Sequence, residues 1–310
     1  MNFNICFGNF AGPTQSVQAQ ILRSMLAGDM VMYVCRSLEE LGHRVTINRS
    51  YVDKDAINLF LERFYGDPDQ PAALRRNGYK WGLITPEQLL TDGLYNPFEF
   101  GEAKARQVFQ EFAGAARAAD FVWYLMEEAG PVCRSVNPNS HFLPFGFVEK
   151  FGQLGDPESR RYVTDFNITG LPTERRLSIL ESLKALGFRV SSCHAEPDYI
   201  RLSMMEAARM TLSVQKSLKH QIFSPGRVPH AIMNRVPILV EYDGPPSYLA
   251  KYCAVAPPDD FVAACTEFAK RQDLPQLAQR FYDRFAAEMP MRPIMARVLE
   301  ASLSAAAPRG

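Results

Sequence analysis

The chain has 310 residues, 47% of them hydrophobic and 22% charged, which is the composition of a soluble globular protein long enough for two ordinary domains. Its 34 basic and 34 acidic residues cancel and no basic tail or stripe is present, which removes the electrostatic case for a general nucleic-acid binder. Six cysteines with no CxxC pair and no histidine at ligand spacing argue against both a zinc site and a disulfide framework.

The N-terminus reads directly into an apolar strand, with no basic segment and cleavable apolar run, and no stretch approaches 18 apolar residues. A cytoplasmic protein with reduced thiols and no transmembrane segment is expected. Short apolar runs at 3–8, 44–48, 56–62, 80–84, 121–126 and 141–145 alternate with helical stretches at 16–41 and 102–119. The first helix is expected to break near Gly28-Asp29 and to end at Gly42, and residues 65–77, rich in Pro, Asp and Arg, read as an exposed insertion. Trp81 and Trp123 fall within strands and read as core aromatics.

A charged, turn-rich stretch at 149–161 marks a boundary, dividing the chain into domains 1–150 and 151–310. Alternation then resumes with strands at 163–169, 188–191, 210–214, 236–241 and 253–255, helices at 174–186, 197–208 and 225–234, and a helical end from 258. The predicted fold is α/β, with two doubly wound Rossmann-like domains facing across a cleft.

Two stretches of the second half carry the functional reading. Ile168-Thr-Gly-Leu-Pro-Thr-Glu-Arg-Arg176 and Phe223-Ser-Pro-Gly-Arg227 each place arginine in the first turn of a predicted helix, where the macrodipole makes a cation cost on the order of 0.3 to 1 kcal/mol unless an anion neutralises it. Glycine at the entrance admits a ligand to the backbone, and arginine donates to phosphate oxygens in pairs. Gly170, Thr173 as N-cap, Arg175 and Arg176 make the first candidate anion site, and Ser224, Gly226, Arg227 and His230, one turn on from Arg227, the second. Without a ligand, Arg175 or Arg176 would pair with Glu174 or Asp165. Lys216 and Lys219 follow a strand end and offer further positive charge.

In the first half, Gly8-Asn-Phe-Ala-Gly-Pro13 is neither a dinucleotide fingerprint nor a P-loop; Gly8, Asn9 and Gly12 are candidates for the acceptor side. Glu62, Glu87, Glu127 and Glu128 lie at predicted strand ends. Glu87 is the preferred base because Thr85-Pro-Glu-Gln88 reads as a capping box on a helix start. GxSxG and HExxH are both absent.

The order Leu143-Pro-Phe-Gly146, Gly170 to Arg176, Asp198-Tyr199, Val214, Ser224-Pro-Gly-Arg227 to Ala231, and Pro237-Ile-Leu-Val-Glu241 resembles GT-B fold glycosyltransferases, in particular the spore-maturation-type group with a family 1/4-like C-terminal domain. The likeness spans about 141–300 and is weak before it. It implies a nucleotide-diphosphate sugar bound by the C-terminal domain, an acceptor on the N-terminal domain, and a last helix crossing back to the first domain. Gly170, Arg175 or Arg176, Lys216 and Arg227 would face the diphosphate, with Glu241 at the rim. The chain departs from retaining relatives in lacking their two glutamates spaced by seven; His230 stands in the second position.

The function expected is sugar transfer to an unknown acceptor (saccharide, lipid, protein or small molecule), with the nucleotide sugar as substrate and no cofactor or metal required. Arginine, lysine and helix N-termini would stabilise the departing diphosphate, and Glu87 would take the acceptor proton if the reaction inverts. The alternatives are a non-catalytic nucleotide- or sugar-binding protein on the same scaffold, and a nucleotide-sugar epimerase.

Overall fold

The computed structural model describes residues 1–6, 17–48, 51–61, 69–97, 101–219 and 221–305, with backbone only for 17–27. Two compact units are present, one formed by Met1–Phe145 with Met291–Gly310, the other by Gly146–Pro290. The division differs from 1–150 and 151–310 at the C-terminus, where the last helix joins the first unit.

The first unit contains a six-stranded sheet in the order β2-β1-β3-β4-β7-β8, with every pairing parallel. Its strands are β1 (Asn2–Cys6), β2 (Arg44–Asn48), β3 (Ile57–Leu61), β4 (Lys80–Thr85), β7 (Phe121–Tyr124) and β8 (Ser140–Phe142). An antiparallel hairpin of β5 (Leu89–Leu90) and β6 (Leu94–Tyr95) stands outside it. The helices are α1 (Val17–Glu40), α2 (Gln70–Arg76), α3 (Glu102–Ala118), α4 (Gly130–Val136) and α10 (Met291–Ser304).

Side chains alternate across the sheet. Leu83, Val122 and Tyr124 join Phe112 of α3 and Tyr95 in one core. Trp123 points to the other face and donates its indole N–H to Ser302 of α10 at 2.8 Å, while Tyr33 of α1 meets Met291 at 2.9 Å. These contacts place α10 in the first unit.

The second unit has a five-stranded parallel sheet in the order β10-β9-β11-β12-β13, formed by β9 (Thr164–Thr169), β10 (Val190–Cys193), β11 (Ala208–Ser213), β12 (Ile238–Glu241) and β13 (Ala254–Ala256). Its helices are α5 (Glu174–Ala185), α6 (Asp198–Glu206), α7 (Arg227–Met233), α8 (Phe261–Lys270) and α9 (Leu274–Glu288). Phe166, Ile168, Leu212 and Leu239 pack on Leu183 of α5 and Phe261 of α8. Both units thus have the doubly wound, Rossmann-like topology expected.

Four local expectations are corrected. Helix α1 runs through Gly28 and Asp29; the roughly 1 kcal/mol that a helical glycine costs is outweighed by Val31, Tyr33, Val34 and Leu38, all buried. The supposed insertion is partly helical, because α2 buries Pro71 and Leu74. Strand β7 stops at Tyr124 and is followed by a 3-10 turn, Glu127–Ala129, and then α4. No helix begins at Thr85-Pro-Glu-Gln88, where the chain enters the β5–β6 hairpin. Gly42 does terminate the first helix region, at φ +78°.

Candidate functional site

In the second unit the chain leaves β9 toward β10 on one side, whereas β11 leads to β12 on the other. Ligands of open α/β sheets bind where the strand order reverses in this way, at the carboxyl ends of the strands. Thr169-Gly170 and Val214-Gln215 flank that point. Gly170 has φ +119°, a conformation side chains rarely adopt, and a Cβ there would lie 2.7 Å from Arg176 Nη1. Its N–H donates to Cys193 O at 2.9 Å, tying the turn to β10.

Arg176 bridges the switch point. Thr173 caps α5 by accepting the Arg176 N–H at 3.4 Å, so the side chain turns back over the strand ends. Its Nε donates to Val214 O at 3.0 Å and its Nη1 to Leu171 O at 2.9 Å. Nη2 is buried without a partner, and the residue is only 3% exposed. Burial pushes its pKa down to about 10, with Glu241 opposing.

Arg227 approaches from α7. Its Nη1 donates to Thr169 O at 3.0 Å and its Nε to Ser224 Oγ at 3.1 Å. Burial, and next the like charge of Arg176, push it down to about 9. Two guanidinium groups therefore straddle Thr169-Gly170-Leu171 with main-chain carbonyls and one hydroxyl as partners, and among the described residues neither makes an ion pair. Carbonyl dipoles orient a cation, but they do not cancel its charge.

Arg175 is different. Its Nε donates to Glu241 Oε1 at 3.0 Å, its Nη2 to the same oxygen and to Pro258 O at 3.0 Å. Glu241 ends β12, is fully buried and also accepts the Gln215 N–H at 2.9 Å. The partner of Arg175 is thus Glu241, not Glu174 or Asp165, and Glu241 lies inside the fold and not at a rim. Gln215, whose role was not anticipated, donates to Ile222 O at 3.0 Å and Glu241 O at 2.6 Å and accepts Ile222 N–H at 2.9 Å. It closes the segment that carries Lys216, partly exposed, and Lys219, exposed.

Helix α7 begins at Arg227 with Gly226 at the cap position, not at Pro225, and has seven residues. Its dipole is correspondingly short, and the charge of Arg227 matters more than the helix terminus. His230, 4% exposed, packs against the Phe151 ring at 5.3 Å, in the interior of its unit.

In the first unit Glu87 lies on the connection from β4 to the hairpin, where its Oε2 accepts from Asn96 Nδ2 at 2.8 Å. Glu127 and Glu128 follow β7 on the 3-10 turn. Gly8, Asn9, Gly12 and Glu62 lie outside the described residues. Thr91-Asp-Gly93 between Leu-Leu and Leu-Tyr is a hairpin signal that the capping-box pattern obscured. Among the described residues no three His, Cys, Asp or Glu side chains group to hold a metal. All six cysteines are free and buried, with thiols such as Cys6 pushed up to about 12 by burial.

No protein-family model matches the chain, and no curated protein matches it. Solved structures do. The chain is similar to a T4 phage BGT variant in complex with UDP-glucose (TM-score 0.54, 12% identity, 99% of this chain and 100% of that one). It is also similar to AviGT4, a glycosyltransferase involved in avilamycin A biosynthesis (0.53, 12%, 99% and 98%), and to TarM (0.53, 9%, 88% of this chain and 58% of that one). At these identities the likeness is one of fold: two Rossmann-like halves, as in GT-B glycosyltransferases.

Proposed function

We propose that the protein is a glycosyltransferase that moves a sugar from a nucleotide-diphosphate donor, with the diphosphate held at the β9–β11 switch point. The observation that carries this reading is the uncompensated pair of Arg176 and Arg227. Once Arg175 and Glu241 have neutralised each other, two positive charges remain at the carboxyl edge of the sheet. A sugar linked through a diphosphate carries two negative charges. A buried cation beside a half-buried one, neither of them in an ion pair, is costly, and such a pair at the carboxyl edge of a sheet marks a place for an anion.

In this reading Arg227 and Lys216 touch the diphosphate, and Arg176 acts from beneath the Gly170 turn. As the bond from the anomeric carbon to the β-phosphate oxygen breaks, its electron pair passes to that oxygen, where the arginines already provide positive potential. In an inverting reaction the acceptor hydroxyl forms the new bond to the anomeric carbon and gives its proton to a carboxylate of the first unit, for which Glu87 is the candidate. The UDP-glucose complex of the similar T4 phage BGT variant supports a uridine donor as the first to test, and all six thiols, free and buried, fit a cytoplasmic location. His230, interior and packed on Phe151, takes part only indirectly.

A thermal-shift screen against uridine, guanosine, thymidine and cytidine diphosphates, followed by an assay for nucleoside diphosphate release from the matching sugar donors, tests the proposal. One diphosphate should raise the melting temperature and its sugar conjugate should turn over. If no nucleoside diphosphate shifts the transition, the anion site is refuted; binding with no release under any acceptor leaves a binding protein in place of an enzyme.

A further inference from the structure

The β5–β6 hairpin ends in a feature that the sugar-transfer reading does not use. Asn96, directly after β6, has φ +44° although it is a non-glycine residue followed by Pro97, and it is 4% exposed. Such conformations persist only where the surroundings over-determine them, and they cluster at functional sites. Several contacts do so here. Leu89 pairs with Tyr95 and Leu90 with Leu94, and the Asn96 N–H closes the ladder on Gln88 O at 2.9 Å. The Tyr95 ring packs on Phe112 at 5.7 Å, and its hydroxyl lies 3.5 Å from Thr85 Oγ1 at the end of β4. Two-residue strands alone would not hold; buried Leu89, Leu94 and Tyr95 anchor them.

The result is an amide donor aimed at a carboxylate nine residues earlier. Because a carboxylate only accepts, the Asn96 atom at Glu87 Oε2 is the amide nitrogen, 2.8 Å away. We propose that Asn96 is the positioning residue of the acceptor base: the hairpin holds one oxygen of Glu87 with a neutral donor, fixing the carboxylate plane and favouring its ionised form. The proposal rests on the reading of Glu87 as the base.

A neutral donor suits this task better than a cation. Arginine or lysine in its place would depress the basicity that proton abstraction needs, whereas an amide lowers it modestly while restricting rotation. Among the described residues, the other charged and titratable groups of the elements packed around Glu87 are Asp92 at the hairpin turn, Glu127 and Glu128 on the turn that packs on β5, Tyr95 on β6, and Glu102, Lys104, Arg106, Glu111 and Arg117 on α3. Arg106 donates to Asp92 O at 3.1 Å and to Glu102 at 3.0 Å.

The test is an NMR titration of the full chain labelled with 13C at glutamate Cδ, in which Glu87→Gln assigns the Glu87 signal. Asn96→Gly keeps the backbone conformation without strain and deletes the side-chain donor. Glu87 should then titrate about one pH unit higher than in the wild type, since a hydrogen bond to the charged form lowers a carboxyl pKa. Asn96→Asp, which puts a like charge in place of the donor, should move it further. In turnover, Asn96→Gly should lower kcat several-fold with the donor KM unchanged and shift the acidic limb of kcat upward by the same interval. Coincident titration curves for wild type and a folded Asn96→Gly, alongside an inactive Glu87→Gln, overturn the role of Asn96 alone. A Glu87→Gln variant with wild-type turnover overturns the base and the Asn96 proposal together.

Discussion

Replacing Arg227 by alanine should weaken binding without weakening the fold, an outcome that misfolding cannot imitate. In the free protein Arg227 is a cation whose charge the fold disfavours: burial and Arg176 bring it from 12.5 to about 9. A displacement of that size corresponds to at most roughly 5 kcal/mol, and partial exposure with solvent screening reduces the cost to about 2 to 3 kcal/mol at neutral pH. The sign is that of a lowered cation pKa, so the penalty is fully present below pH 9 and is relieved only as the pH rises above it. Against it stand the hydrogen bonds to Thr169 O and Ser224 Oγ, each contributing about 1 kcal/mol. Their loss and the relief of charge nearly cancel, so Arg227→Ala should unfold at the same temperature as the wild type or a few degrees higher. With nucleoside diphosphate the balance reverses, because the charge-assisted bonds now meet an anion. Affinity should fall by about 1.5 to 3 kcal/mol, roughly 10- to 150-fold. Calorimetric unfolding with and without ligand, and isothermal titration with UDP or whichever diphosphate the screen selects, measure both. Unchanged affinity refutes Arg227 as a ligand group, and destabilisation of the free protein by more than about 3 kcal/mol refutes the picture of an uncompensated cation.

Other outcomes follow from the same region and its supports. Glu241→Gln removes a fully buried charge from its pair with Arg175 and should cost about 2 to 3 kcal/mol in urea unfolding; diphosphate affinity should hold or rise as Arg175 is released, and a parallel fall would put Glu241 in contact with the ligand. Gly170→Ala forces a side chain to φ +119° and to 2.7 Å from the pinned Arg176, for about 2 to 4 kcal/mol; a loss below 1 kcal/mol would show that Arg176 is free to move. Glu288 is held down to about 2 by its bonds from Lys251, Arg284 and Tyr252. Because this carboxyl is depressed, its contribution is complete above its ordinary value of 4.5 and fades as pH falls toward 2. The stability difference between wild type and Glu288→Gln should therefore be flat from pH 8 to 5 and shrink below it, and a gap unchanged at pH 2 would reject the assignment.

The alternation of apolar runs and amphipathic stretches was enough for two doubly wound units, because strand and helix periodicities are local properties of the chain. Thr173 was legible as an N-cap and Gly170 as a turn for the same reason. The capping-box reading of Thr85-Pro-Glu-Gln88 failed because a local pattern competed with a hairpin anchored by Tyr95 on Phe112, a contact across 17 positions.

By itself the sequence determined which residues stand at the strand ends: Gly170, the three arginines and Glu241 all lie at carboxyl termini of β-strands or in the helix turns that follow them. Tertiary structure alone decided what each does there. Glu241 takes Arg175 across 66 positions, leaving Arg176 and Arg227 to face each other, and α10 returns to the first sheet through Trp123 and Ser302, 179 positions apart. Charge compensation depends on distance in space and on burial, and neither is encoded in the spacing of residues along the chain.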